Sequence, residues 1–156
     1  MIYCNGDIYI GEWFNDKKQG KGTMEYYTGD AYTGEWFNDK KQGKGTMEYN
    51  TNDKENSTIR DNTDDVYIGE WFNDRKHGKG EMKYKHGTYT GEWFFDKKQG
   101  NGEMKYNNGN VYDGEWVNNL IRGNGKMVYN DKNVYIGQWF NDRKHGNGEM
   151  KYWQMD

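Results

Sequence analysis

Few side chains in this 156-residue chain could do covalent chemistry: one serine, Ser57, one cysteine, Cys4, and three histidines, His77, His86 and His145. Nucleophilic catalysis needs a nucleophile, a base and a partner that orients the base, and this inventory is poor for it. His77 and His145 occupy the same turn position of a repeated unit where other copies carry Gln or Arg, so they read as solvated turn residues. Metal binding fares no better, because no Cys or His cluster has ligand spacing. The carboxylates Glu12, Glu35, Glu70, Glu92 and Glu115 fall one per unit, roughly 10 Å apart if the units are paired strands, too far to share an ion. Hydrogen bonding or charge pairing with the next hairpin is the reading preferred for this column over partner contact. The expectation is no catalytic, cofactor or metal site, no small-molecule substrate and no enzyme.

Two other residue types do recur. Aromatic pairs return as Tyr9 and Trp13, Tyr32 and Trp36, Tyr67 and Trp71, Tyr89 and Trp93, Tyr112 and Trp116, and Tyr135 and Trp139. Basic residues follow each pair at Lys17 and Lys18, Lys40 and Lys41, Arg75 and Lys76, Lys97 and Lys98, Arg122, and Arg143 and Lys144. The first set suggests a ring-lined groove for a protein partner, a peptide or a second copy of the chain. The second suggests a basic edge of hairpin tips that could meet anionic phospholipid, though charged tips are also ordinary solubility devices. Aspartates Asp16, Asp39, Asp74, Asp96 and Asp142 offset part of that edge. Since the net charge is −3, the opposite edge must be acidic. Nucleic acid is not expected, given that negative charge and rings committed to stacking.

The elements that position these residues follow from self-similarity. Tyr9-Ile10-Gly11-Glu12-Trp13-Phe14 is the first of six copies, and the leading tyrosines are separated by 23, 35, 22, 23 and 23 residues, which marks a repeat architecture. Each copy continues through a polar turn such as Asn15 to Gln19, a second run such as Gly20 to Tyr26, and a second turn such as Tyr27 to Asp30, giving two strands and two turns. Alternation puts Tyr9, Gly11 and Trp13 on one face with Gly20, Gly22, Met24 and Tyr26, and puts Ile10, Glu12, Phe14, Lys21, Thr23 and Glu25 on a wetter one. The glycines leave room for a ring to lie across the backbone. Because one hairpin is marginal in water, the copies must stack into one elongated antiparallel sheet, roughly 55–60 Å long at about 4.8 Å per strand.

The fold class expected is therefore all-β, a single-layer sheet of tandem hairpins in one domain over 1–156. It comprises a half repeat at 1–8, repeats at 9–31, 32–49, 67–88, 89–111, 112–134 and 135–152, a polar insertion at 50–65, and a terminal cap at 153–156. The half repeat is either a natural cap or a cut through a longer array. Trp153 and Met155 could fold back over the last hairpin. The insertion reads as a surface excursion whose apolar residue is Ile59. In the fifth copy Leu120 and Ile121 stand in an otherwise polar tip, as a partner contact or packed onto the adjacent hairpin.

Composition agrees. Aromatics make up 17% of residues against a hydrophobic fraction of 32%, there are 22 glycines and there is no proline, which favours a ring-built β structure. The single cysteine and the absence of a visible secretory signal lead to the expectation of a cytoplasmic setting, with cytoskeletal or membrane association open. The acceptor pattern Asn56-Ser57-Thr58 carries no weight without secretion.

Tyr-x-Gly-Glu-Trp, a turn, Gly-x-Gly-x-Met-x-Tyr and a Gly-containing turn every 23 residues resemble the MORN (membrane occupation and recognition nexus) repeat over nearly the whole chain. Departures are Gln138 for glutamate in the last copy, Val117 for phenylalanine in the fifth, and the insertion. The resemblance implies an extended sheet of stacked hairpins that is not itself an enzyme. It also implies peptide-binding grooves, dimerisation rods, cytoskeletal or membrane-associated scaffolds, or regions attached to separate catalytic domains.

Overall fold

The computed structural model describes residues 1–50 and 65–154. Most of the insertion, including Ser57 and Ile59, and the end of the cap, including Met155, lie outside the described residues. The described residues form one 12-stranded antiparallel sheet in strict sequence order. Its strands are β1 (Ile8–Phe14), β2 (Lys17–Glu25), β3 (Ala31–Phe37), β4 (Lys40–Tyr49), β5 (Asp65–Phe72), β6 (Arg75–Tyr84), β7 (Gly87–Phe94), β8 (Lys97–Tyr106), β9 (Val111–Val117), β10 (Leu120–Val128), β11 (Val134–Phe140) and β12 (Arg143–Lys151). The sheet of tandem hairpins is as the repeat implies.

The hairpin tips are tighter than the five-residue polar turn read from sequence. Only two residues turn the chain, Asn15 and Asp16 in the first copy, with φ of 48° and 59°. Two successive positive φ values make the turn whose twist matches paired strands, and Asn and Asp are the non-glycine residues that best tolerate it. Lys17, Lys18 and Gln19 therefore belong to β2. The fourth copy sets Phe95 at φ 44° in this turn, where the ring lies against Phe94 at 4.6 Å between centroids.

Within each hairpin the register shifts once. Gly11 pairs with Gly22 and Trp13 with Lys18, so Glu12 alone faces Gln19, Gly20 and Lys21. Gly20 takes φ +66° in this bulge, and a Cβ there would meet the Glu12 carboxyl carbon at 2.6 Å. The carboxylate fills the gap: Lys21 N–H donates to Glu12 Oε1 at 2.8 Å, and Asn124 N–H to Glu115 Oε1 at 2.8 Å. The glutamate column thus bonds within its own hairpin, and not to the next one as expected from sequence. In the last copy Asn147 N–H donates to Gln138 Oε1 at 3.0 Å, so glutamine supplies the same acceptor. Glu115→Gln should accordingly leave stability within about 0.5 kcal/mol of the parent, while Glu115→Ala should cost about 1 kcal/mol by stripping the bulge of its acceptor. Urea denaturation of both variants checks this; equal losses would mean that charge, not the acceptor, matters.

Successive hairpins are joined by a second set of carboxylates. Lys18 N–H donates to Asp39 Oδ1 at 2.8 Å and Asp39 N–H returns to the Lys18 carbonyl at 3.1 Å. Asp74 binds Lys41, Asp96 binds Lys76 and Asn119 binds Lys98 in the same way. The half repeat continues the array in reverse: Ile2 bridges Ile8, and Tyr9 N–H donates to the Met1 carbonyl at 2.9 Å. At the other end Trp153 N–H donates to Asn133 Oδ1 at 2.9 Å and the ring lies under Lys132 Nζ at 4.2 Å.

Candidate interaction surfaces

The core is a ladder of rings on one face of the sheet. The leading tyrosine of each repeat lies across a glycine pair and donates its hydroxyl to the carbonyl three residues on, as Tyr67 does to Glu70 at 2.9 Å. Each tryptophan after the first stands edge-on between two tyrosines. Trp93 meets Tyr67 at 5.4 Å and Tyr89 at 5.2 Å, with interplanar angles near perpendicular, the arrangement the ring quadrupoles favour. Its indole N–H donates to the Gly80 carbonyl at 3.2 Å.

That ladder changes what the aromatic set can offer a partner. Tyr9, Tyr32, Tyr67, Tyr89 and Tyr112 are fully buried, and Trp36, Trp71, Trp93, Trp116, Tyr135 and Trp139 are nearly so; only Trp13, 39% exposed, has substantial surface. The structure brings all twelve together, yet as mutual packing and not as an open lining. Trp13 differs because, among the described residues, Tyr9 alone of the ladder tyrosines lies against it.

The surface of this face is made instead by residues outside that set. After the two-residue turn the first cation of the strand faces away from the rings and the second turns over them. Lys18 Nζ sits 4.5 Å from the Trp36 ring centroid, Lys41 Nζ 4.6 Å from Trp71, Lys76 Nζ 4.9 Å from Trp93 and Lys98 Nζ 4.7 Å from Trp116. Lys144 Nζ lies 4.7 Å from Tyr135. These five do not project from an edge, as the sequence reading had them; side-chain alternation from a two-residue turn puts them on the ring face. Burial lowers the pKa of Lys18, Lys41, Lys76 and Lys98, while nearby aspartates such as Asp39, Asp74 and Asp96 act to raise it. Ile121 takes the lysine place in the fifth copy and is buried at 3% exposure.

Beside the lysines runs a second tyrosine column. Tyr26, Tyr49, Tyr84, Tyr106 and Tyr129 are half-buried against the core. Among the described residues their hydroxyls find no hydrogen-bond partner, unlike those of the buried tyrosines. Tyr3, Asp7, Lys18, Met24, Tyr26, Trp36, Asp39 and Asp74 together line a hollow that crosses this face from one turn column to the other.

Burial pushes Tyr26, Tyr49 and Tyr84 from an ordinary 10 up to about 12, with neighbouring carboxylates adding to the effect. Tyr32, Tyr67, Tyr89 and Tyr112 are raised further for the same first reason. A phenol whose folded pKa is raised stabilises the fold fully below its unfolded value and loses that contribution as pH climbs through the folded one. Stability should therefore fall between pH 10 and 12, with tyrosinate absorbance rising together with loss of near-ultraviolet dichroism. Tyrosines that ionise near pH 10 with the fold intact would refute the assignment.

The opposite face carries the remaining cations. Lys17 pairs with Phe14, Lys40 with Phe37, Arg75 with Phe72, Lys97 with Phe94 and Arg143 with Phe140. These phenylalanines are 42–66% exposed, so a stripe alternating ring and cation runs along the tips. Arg122 occupies the place of Gln19 and lies 4.5 Å over Phe140. The fifth copy interrupts the stripe with Val117 and the exposed Leu120, so of its two aliphatic tip residues one packs inward and one does not. His77 belongs to β6 and not to a turn. Half-buried, with Phe94 and Phe95 at 5.3 and 5.2 Å, it leaves its Nδ1 without a partner among the described residues. His145 is exposed beside Phe140.

The phenylalanine stripe is legible in sequence as the outward residue after the tryptophan in five of the six copies, on the face whose Glu, Lys and Thr give it a wetter character. The inward lysines required the turn length, which composition does not give. Among the described residues no helix is long and apolar enough to cross a membrane. Comparison with curated proteins found no match. A MORN repeat model matches residues 9–31, 32–54, 67–88, 89–111, 112–134 and 135–152, the same hairpins that build the ladder, and repeats of this kind are commonly protein- or membrane-interaction modules. With six such matches covering most of its length, the chain belongs to the MORN repeat family.

Proposed function

We propose that this chain is a non-catalytic scaffold that binds a protein partner along its ring-bearing face. The observation carrying this is the ring face itself, where lysines from Lys18 to Lys144 lie over the ladder and a hollow lined by Tyr3, Lys18, Tyr26 and Trp36 indents one end. The floor of this face is fixed by interlocked rings, so little ordering is lost on binding, and its surface presents lysine ammoniums and tyrosine hydroxyls with open hydrogen-bonding capacity. The contacting residues are then the inward lysines, the half-buried tyrosines and Trp13, with the buried rings as support. Affinity capture from the native source should recover a partner with the parent chain and lose it with Lys41→Glu and Tyr49→Ser, while Phe37→Ser on the other face leaves capture intact. Unchanged capture by the ring-face variants would reject this face.

A second reading, peripheral attachment to anionic membrane, is favoured by the stripe of five exposed phenylalanines each paired with a cation. Rings enter the headgroup boundary while each nearby Lys or Arg adds about 1 kcal/mol. Anionic liposomes should co-sediment the chain at low salt, less so at high salt, and Phe94→Ser with Lys97→Glu should weaken the association. Failure of the parent chain to bind at low ionic strength would remove this reading.

A further inference from the structure

The ring face repeats one small polar arrangement along the array. Lys41 Nζ lies 6.0 Å from the Tyr26 ring centroid, Lys76 Nζ 5.5 Å from Tyr49 and Lys98 Nζ 5.0 Å from Tyr84. Each site therefore sets an ammonium over the ring of a tyrosine whose hydroxyl accepts from or donates to no side chain among the described residues. Among the described residues no carboxylate comes within 4.0 Å of these ammoniums and no side chain accepts from them or from the phenols. The nearby turn aspartates Asp74 and Asp96 each use one carboxylate oxygen to accept from the backbone N–H of a lysine and act on the ammoniums only at longer range. Two donor groups on a rigid support, without an acceptor, suit a carboxylate, which can take a charge-assisted bond from the ammonium and a second from the hydroxyl.

Spacing sets the register. Successive sites are two strands apart, about 9.6 Å along the array. A polyproline-type extended chain rises about 3.1 Å per residue and turns once every three, returning a side chain to the same face every ~9.3 Å. The turn aspartates keep the surroundings near neutral, which disfavours a dense run of acids and suits sparse ones. The column has one gap, at Ile121, where the slot is apolar and filled.

We propose that the ring face takes an extended segment of a partner protein with a carboxylate at every third residue and an uncharged residue opposite Ile121. This rests on the reading of that face as a protein-binding surface, and names the chemistry of what binds.

The test uses the whole chain and three labelled peptides long enough to span the array, read by fluorescence anisotropy. One has glutamate at every third residue between proline and alanine except for an alanine opposite Ile121, one has glutamine at those positions, and one has the same glutamates in a single run. The spaced-glutamate peptide should bind about tenfold more tightly than either other. Lys76→Met should weaken it about fivefold without changing the glutamine peptide, and the fold should tolerate this variant because Ile121 already fills the equivalent slot. Ile121→Lys should tighten binding of a peptide carrying glutamate at every site. Equal binding of the glutamate and glutamine peptides would overturn the acid requirement while leaving a peptide-binding face. Equal binding of spaced and contiguous glutamates would overturn the register. Absence of binding by all three would overturn the inference, while the protein-binding reading is decided separately by the capture experiment with Lys41→Glu and Tyr49→Ser.

Discussion

Gly80→Ala is expected to destabilise the array by about 3 kcal/mol, a large cost for one methyl group. The cause is the way each tyrosine is housed. Gly80 faces Gly69 across the hairpin and Gly91 across the next interface, and the Tyr67 ring lies over the pair. A Cβ at position 80 would meet the Tyr67 hydroxyl oxygen and come within 2.6 Å of Cε2 and Cζ. The ring cannot swing aside, because Tyr67 is fully buried, donates its hydroxyl to the Glu70 carbonyl, and is wedged between Trp71 and Trp93 at 5.2 and 5.4 Å. The added methyl must move backbone or break the ladder at that rung.

Equilibrium urea denaturation followed by tryptophan fluorescence measures the loss. Pairing the change with Tyr67→Phe isolates its origin. Removing the hydroxyl relieves one of the close contacts, so the double variant should be more stable than the sum of the single losses predicts. A loss below about 1 kcal/mol, or strict additivity, would mean that the ring has room to yield. The phenol hydroxyl therefore has two consequences: it anchors the ring to its own strand, and it forces the position beneath to remain glycine.

The hairpins and their two faces were legible in the sequence because period and alternation are written in residue type: Tyr9, Gly11 and Trp13 against Ile10, Glu12 and Phe14. What was not legible depended on one or two residues of geometry. Nothing in Asn15-Asp16-Lys17-Lys18-Gln19 states that the turn ends at Asp16, yet that single fact divides the basic edge into an inward and an outward column. The bulge beside Glu12 was equally hidden, since it is a register shift between strands and not a pattern within either; only Gly20 hinted at it. The twelve rings were read correctly as one face. Whether they stood open or buried depended on how far the next hairpin's tryptophan reached, which is a property of the stack and not of the repeat.

That dependence predicts unequal effects for the same substitution at two places. Trp93→Ala should cost about 3–5 kcal/mol, the range for truncating a large buried ring, because Trp93 is only 4% exposed and links two hairpins through Tyr67, Tyr89, the Gly80 carbonyl and the overlying Lys76. Trp13→Ala should cost about 1 kcal/mol, since Trp13 is 39% exposed and contacts Tyr9 alone among the ladder rings. The two also differ in kind. In a linear array the stability is a sum of unit and nearest-neighbour terms, so weakening a central interface uncouples the parts on either side. Trp93→Ala should therefore broaden the denaturation curve or split it into two steps, with a lower apparent m-value, whereas Trp13→Ala should leave one transition of unchanged steepness. Circular dichroism through a urea series distinguishes these outcomes, and comparable losses with parallel curves would show that the hairpins do not depend on the tryptophan between them for their coupling.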